Sequence, residues 1–235
     1  MPLSNPFSGS IRWLLAEIII VVVGILMAFS IDSWWQGVED HQTEQTLLRS
    51  LAIEFESNQQ QLESKIQIYR LRATAAETLL NLHSRSSSVS PEAVEEHWKW
   101  ITRGGSYDPS TGVLDAAISS GDITVLQDLD LQVSLAEWPA KVQNFRFVED
   151  IVSNLIINQL IPWMRTATAL PKNSFGELGL PDSRSETDYQ LLASSIVIEN
   201  FLREMVAWGR ILEEDVSELE GSFVQVNAGI SRNLE

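Results

Sequence analysis

Cysteine is absent from this chain of 235 residues. That absence removes disulfides, thiolate catalysis and cysteine-ligated metals together, but exported proteins do not require disulfides, so the compartment stays open. Cations are few as well: 16 Lys and Arg face 32 Asp and Glu, for a formal net charge of -16, and the basic residues are scattered singly. Such a chain repels phosphate backbones, which argues against nucleic acid as a partner. The three histidines, His41, His83 and His97, show neither His-x-x-x-His nor Glu-x-x-His spacing, so a carboxylate-bridged di-iron bundle is out of reach. Glu92, Glu96 and His97 share a short segment, but positions 96 and 97 diverge by about 100° on a helix, and a solvated acidic face explains them. There is no Gly-x-Ser-x-Gly elbow, phosphate-cradling glycine loop or dinucleotide fingerprint. Asp122, Asp128 and Asp130 do not fit a calcium loop and are expected to cap helices. Ser119-Ser120-Gly121 has no nearby histidine to serve as base. No enzyme activity and no cofactor or metal is expected.

Long apolar runs are also scarce, with one exception. Trp13 to Ile31 is broken only by Glu17 and by the small or weakly polar Ala16, Gly24, Ala28 and Ser30. At ~1.5 Å per residue a helix of this length crosses a ~30 Å hydrocarbon core. Trp13 stands at one end and Trp34 with Trp35 at the other, ~31 Å apart, where aromatic belts meet the two headgroup layers. Arg12 and the α-amino group lie before the run. Beyond it come Asp32, Glu39, Asp40 and Glu44, with no Lys or Arg before Arg49. The positive-inside rule then gives a cytoplasmic tail over 1–10, a transmembrane helix over 11–33 and a periplasmic domain over 34–235. The competing reading is a cleaved signal peptide ending at Ala28-Phe29-Ser30, which also exports the domain.

Glu17 is costly to keep in hydrocarbon. Gly24 and Ala28 fall within about 40° of it around a helix, and Gly24-x-x-x-Ala28 is a small-xxx-small pair of the kind that admits a neighbouring helix. One reading makes Glu17, Gly24 and Ala28 the contact face for a partner span or a second copy. The other has Glu17 snorkel to the cytoplasmic interface.

The remainder, roughly 200 residues, suits one domain. Leu47, Leu51, Phe55, Leu62, Ile66, Tyr69, Ala73, Ala76 and Leu80 recur at steps of three and four, with Asn58 filling one slot, as in an amphipathic stalk helix over 36–83 or a coiled-coil seam. Ser90-Pro91-Glu92 starts a second helix that stops at Gly104-Gly105. A short helix from Thr111 to Ser120 ends at Gly121. Leu129 to Met164 reads as a core helix, which Pro139 should kink or start and Pro162 should end or bend. These middle helices occupy 91–165. Ala169 to Ser185 is the one long loop. A C-terminal helix over 187–232 carries Phe201, Met205, Trp208, Leu212, Leu219, Phe223, Val226 and Ile230. Its stripe equals the first in length, so the two should pair antiparallel, with the middle helices closing the distal end. No useful strand alternation occurs, and the fold class is all-α.

Trp98 and Trp100, two positions apart, point to nearly opposite sides of their helix, so one of them is a candidate ligand or partner surface. The segment from Trp13-Leu14-Leu15-Ala16-Glu17-Ile18 through Val23-Gly24-Ile25-Leu26-Met27-Ala28 to Ile31-Asp32-Ser33-Trp34 resembles the anchor of an uncharacterised family of bacterial single-span inner-membrane proteins. Leu114 to Leu135 resembles that family's second recurring block, while Ser30 and Trp35 depart from its usual residues. The resemblance implies an inner-membrane location and no activity. The expected function is that of a membrane-anchored interaction or assembly module acting on a membrane-protein partner or its own copy. The alternative is a ligand-sensing periplasmic domain that works through a partner subunit.

Overall fold

A computed structural model of the chain describes residues 7–85, 90–171, 174, 181 and 183–234. Residues 1–6 of the expected tail, most of the expected loop over 169–185 and the side chains of Arg12 and His83 lie outside what is described. Every regular element among the described residues is helical: α1 Phe7–Arg85, α2 Pro91–Ile101, α3 Gly112–Ser120, a 3₁₀ turn Asp122–Val125, α4 Leu129–Asn154, a π segment Leu155–Leu160, α5 Ile161–Ala167, α6 Tyr189–Ser194 and α7 Ile196–Asn233.

Helix α1 runs unbroken for 79 residues, roughly 120 Å. It has two halves with different surroundings. Every described side chain from Ala16 to Gly37 is exposed, whereas the second half buries Leu48, Leu51, Phe55, Leu62, Ile66, Tyr69, Ala76 and Leu79. The buried stripe passes through Leu48 and Leu79, with Leu47 and Leu80 only packed against its edge.

Helix α7 returns antiparallel to α1. Gln45 Nε2 donates to the Asn233 carbonyl (2.7 Å), Asn227 Nδ2 donates to Gln59 Oε1 (2.9 Å), and Arg210 meets Glu77 at 3.3 Å. The third long helix, α4, runs the length of the bundle beside both of them and does not merely close the distal end. Phe55, Trp138 and Phe223, one from each helix, stack with centroids 4.6 to 6.0 Å apart at the centre of the core. A second cluster at the far end joins Ala76, Trp98, Ile101, Leu155, Met164, Phe201 and Met205 from α1, α2, the π segment, α5 and α7.

The local signals act as their chemistry dictates. Ser90 caps α2 through Ala93 N–H (3.2 Å), with Pro91 in the first turn. Gly121 ends α3 at φ 85°, a left-handed conformation that an L side chain resists. Pro139 sits inside α4 without ending it. Pro162 enters α5 directly after the π segment. Proline has no N–H to continue an α-helical ladder, and the wider π turn ahead of it carries Leu155, Ile156, Leu160 and Ile161 into the core together. The C-terminal helical stretch is divided: Ser195 is extended, caps Val197 N–H and separates α6 from α7.

Candidate functional site

Within the bare half of α1, Glu17, Gly24 and Ala28 are all exposed, and a Cβ placed at Gly24 would meet nothing within 4 Å. Trp13 is exposed near one end, and Trp34 packs edge-on to Trp35 at 6.3 Å at the other. Ser30 Oγ donates to the Leu26 carbonyl (2.8 Å), so its hydroxyl needs no outside partner. The three residues expected to form a contact face thus lie on the helix surface, uncovered by the other described residues.

Beyond the exit, polar side chains on α1 hold the chain that follows α2. Residues 102–111 form an irregular strap running back along α1, which gives the bundle a fourth leg. An irregular segment has no ladder of its own for its backbone groups, and α1 supplies partners at helical spacing. Asn58, 2% exposed, donates from Nδ2 to the Ser110 carbonyl (2.6 Å) and accepts the Ser110 N–H at Oδ1 (2.8 Å). Gln61 Oε1 accepts the Asp108 N–H (2.9 Å). The buried Glu54 carboxylate accepts Val113 N–H (2.8 Å) and Leu114 N–H (3.1 Å), serving the first turn of α3 where Thr111 makes no side-chain cap. Further up, Arg72 donates to the Arg103 carbonyl.

The strap's centre is fixed from the other side by Glu149 of α4. Its carboxylate accepts the Tyr69 hydroxyl and the Tyr107 N–H (3.0 and 3.2 Å), while Arg146 pairs with Asp108. Burial pushes the Glu149 carboxyl above its ordinary range, against the lowering effect of the Tyr69 and Tyr107 hydrogen bonds and of Arg72 nearby. Burial likewise raises the Tyr69 and Tyr107 hydroxyls, with Glu149 adding to the shift at Tyr69, and lowers Arg72. Apart from the Tyr107 hydroxyl and Arg72 Nε, which are buried with no hydrogen-bond partner among the described residues, these groups are occupied in holding backbone and one another. Among the described residues no group of three His, Asp or Glu could hold a metal ion.

At the base, Glu44 (4% exposed) accepts the Gln127 N–H (2.8 Å). Asp128 caps α4 through Leu131 N–H (3.1 Å) and also accepts from Asn233 (3.0 Å) and pairs with Arg232 (3.2 Å), so the start of α4 and the end of α7 are tied together. These contacts hold the Asp128 carboxyl below its usual range, the Leu131 N–H foremost. A groove of about 680 Å³ opens beside this tie between α1 and α3, from Glu39 and Thr46 to Val113, Ala116 and Asp122.

Of the tryptophan pair on α2, Trp98 is 1% exposed in the distal core. Trp100 is half-buried, and Arg103 and Lys99 stand 5.1 and 5.7 Å from its ring centroid. The surface expected of this pair therefore falls to Trp100. The polar ladder Glu54, Asn58 and Gln61, together with Glu149, escapes a reading by periodicity. Its one trace in the sequence is Asn58, a polar residue in a slot of the apolar stripe.

A family profile, that of DUF6090, a family of unknown function, matches residues 17–150. The chain belongs to this family. The DUF6090 region begins at Glu17, takes in the apolar face, the α1 ladder, the strap and α3, and ends just past Glu149 of α4. Thus the segment that defines the family coincides with the clasped half of the fold, and α7 lies beyond it. No curated protein and no solved structure matches the chain.

Proposed function

We propose that this DUF6090 protein is a single-span anchor that positions a helical domain on the periplasmic side of a bacterial inner membrane, and that it acts by binding rather than by catalysis. The observation that carries the proposal is the bare first half of α1, an apolar helix with an 18-residue stretch of mean hydropathy 2.1 and no buried residue. Covering a large aliphatic side chain is worth about 1.5 to 3 kcal/mol, and Ile18, Ile19, Ile20, Val21, Leu26 and Phe29 are among those uncovered. Lipid supplies that cover on most of the circumference. On the remaining arc Glu17, Gly24 and Ala28 offer close backbone approach and a hydrogen-bonding group, which suit another helix better than acyl chains.

The clasped domain supports the same reading. Its buried Glu54, Asn58 and Glu149 hold the strap, and its base ties α1, α4 and α7 together roughly ten residues beyond Trp35, ~15 Å along the helix. A rigid domain on an unbroken helix is held at a set height and orientation above whatever the anchor binds. Copurification in mild detergent tests this, comparing wild type with Glu17→Gln and Gly24→Leu. Both substitutions should deplete what comes down with the tagged chain, whether another protein or a differently tagged copy of the chain itself. If neither alters what comes down, the anchor-face contact is wrong.

A further inference from the structure

Helix α1 has a second free face, and it continues the first. At 3.6 residues per turn, positions ~18 apart stand five full turns apart and share one direction. Glu17, Trp35, Ile53 and Leu71 are such a series, and Gly24 with Gln60 and Ala28 with Ser64 lie within about 20° on either side of it. The core residues Leu51, Phe55 and Leu62 point ~180° away, toward α4 and α7. The domain therefore packs on the side of α1 opposite the anchor face, and that face emerges from the span and runs up the back of the bundle unobstructed by the other described residues.

Three features mark this back as a seat for a helix. First, Ile53, Ser57, Gln60, Ser64, Gln67 and Leu71 are all exposed, Ile53 at 71%, and follow steps of four and three, the rhythm of helix pairs that cross at a shallow angle. Second, the hydroxyls of Thr46, Ser50 and Ser64 donate to the backbone of α1 itself, at 2.7 to 3.0 Å, so they do not depend on water for a partner. Third, the stripe carries no Asp, Glu, Lys or Arg from Ile53 to Leu71, while its flank at Glu56, Glu63, Arg70 and Glu77 is charged throughout and Arg49 stands at its edge one turn before Ile53.

We propose that α1 is a dimerisation helix, on which a second copy of the chain packs in parallel from Gly24 to Leu71. The proposal rests on the anchor face being a contact face, and it names the occupant. Charge selects the copy: a chain of net charge -16 repels itself through its acidic surfaces, and the uncharged stripe is where two copies approach at least cost. A partner of opposite charge would be drawn elsewhere on the domain. Geometry agrees. Two copies in one membrane share their orientation, so the contact is two-fold and parallel, and each domain then hangs outward, away from the axis. The same symmetry brings the second Glu17 to the first, giving each carboxyl group a hydrogen-bonding partner in hydrocarbon.

The absence of cysteine makes the test clean. Single cysteines at Ala28, Ile53, Ser64 and Leu71 in the full-length protein in native membranes should give disulfide-linked dimers on mild oxidation. Their yield should be several-fold above that from Leu26→Cys, on the opposite side of the span, and from Val224→Cys, exposed on α7. Adding Ile53→Glu should lower the Ser64→Cys yield several-fold without loss of helicity. Crosslinks at Ala28 with none at Ile53, Ser64 and Leu71 would leave the anchor contact standing and overturn the extended dimer. Equal yields at test and control positions, or adducts only to another protein, would overturn the second copy as occupant. No crosslink at any of the four together with unchanged copurification in the Glu17 and Gly24 variants would end both proposals.

Discussion

Asn58→Asp isolates the clasp with the smallest possible change. The new side chain has the same shape and keeps the oxygen that accepts the Ser110 N–H at 2.8 Å. It replaces the Nδ2 donor, 2.6 Å from the Ser110 carbonyl, by a second oxygen. One hydrogen bond is lost and two acceptors face each other at a position only 2% exposed. A net hydrogen bond is worth about 1 kcal/mol and an unsatisfied buried acceptor costs about 1 to 3 more, so the variant should lose about 2 to 4 kcal/mol at neutral pH. For a chain of this size that is about 4 to 16 °C in Tm, read by circular dichroism of the full-length protein in detergent. Acid should restore part of the loss. A protonated carboxyl can donate to the Ser110 carbonyl, and the burial of the new group raises its pKa, so the penalty is absent at low pH and grows as pH rises through that raised value. A surface substitution changes stability by no more than about 0.5 kcal/mol. A deficit that small, or one that does not shrink in acid, would refute the role given to Asn58.

Other consequences can be checked in the same way. The Glu149 carboxyl titrates above its ordinary range in the fold, so the stability it contributes is present below that range and is lost as pH rises through the raised value. Glu149→Gln has nothing to titrate, and its stability relative to wild type should therefore climb across that window; a constant difference would contradict the burial argument. Gly121→Ala forces a side chain into a left-handed cap at φ 85° and should cost about 1 kcal/mol by thermal unfolding, whereas an unchanged Tm would show that the α3 end relaxes freely. A cysteine at Val224, exposed at 69%, should react with an impermeant thiol reagent in spheroplasts without lysis; labelling only after lysis would reverse the proposed orientation.

Where backbone chemistry is local, the sequence announces it. Ser90-Pro91 starts a helix because serine accepts an orphan N–H and proline needs none, and Gly121 stops one because only glycine tolerates the turn. The pairing of α1 with α7 follows from two apolar stripes of equal length. The strap was not legible, because residues 102–111 have no periodicity, and what fixes them is contributed by α1 some fifty residues earlier. Glu54 and Glu149 look like ordinary solvated acids until the backbone N–H groups they accept are brought alongside. The extent of α4 was legible in the apolar density of Leu129 to Met164, while the effect of the prolines was not: Pro139 lies inside a continuing helix, and the π segment before Pro162 keeps the next turn facing the core. That Glu17, Gly24 and Ala28 lie on one side of an exposed helix was legible in their phase. The continuation of that side up the bundle depends on α1 being unbroken from Phe7 to Arg85, which carries the phase of Glu17 through to Leu71.

The anchor face is tested most directly inside the membrane, by a photo-crosslinking side chain placed at Ala28 or, as control, at Leu26 on the opposite side of the same helix. The account predicts a protein adduct from position 28 and lipid adducts alone from position 26. Equal protein adducts from both positions, or none from position 28, would contradict it.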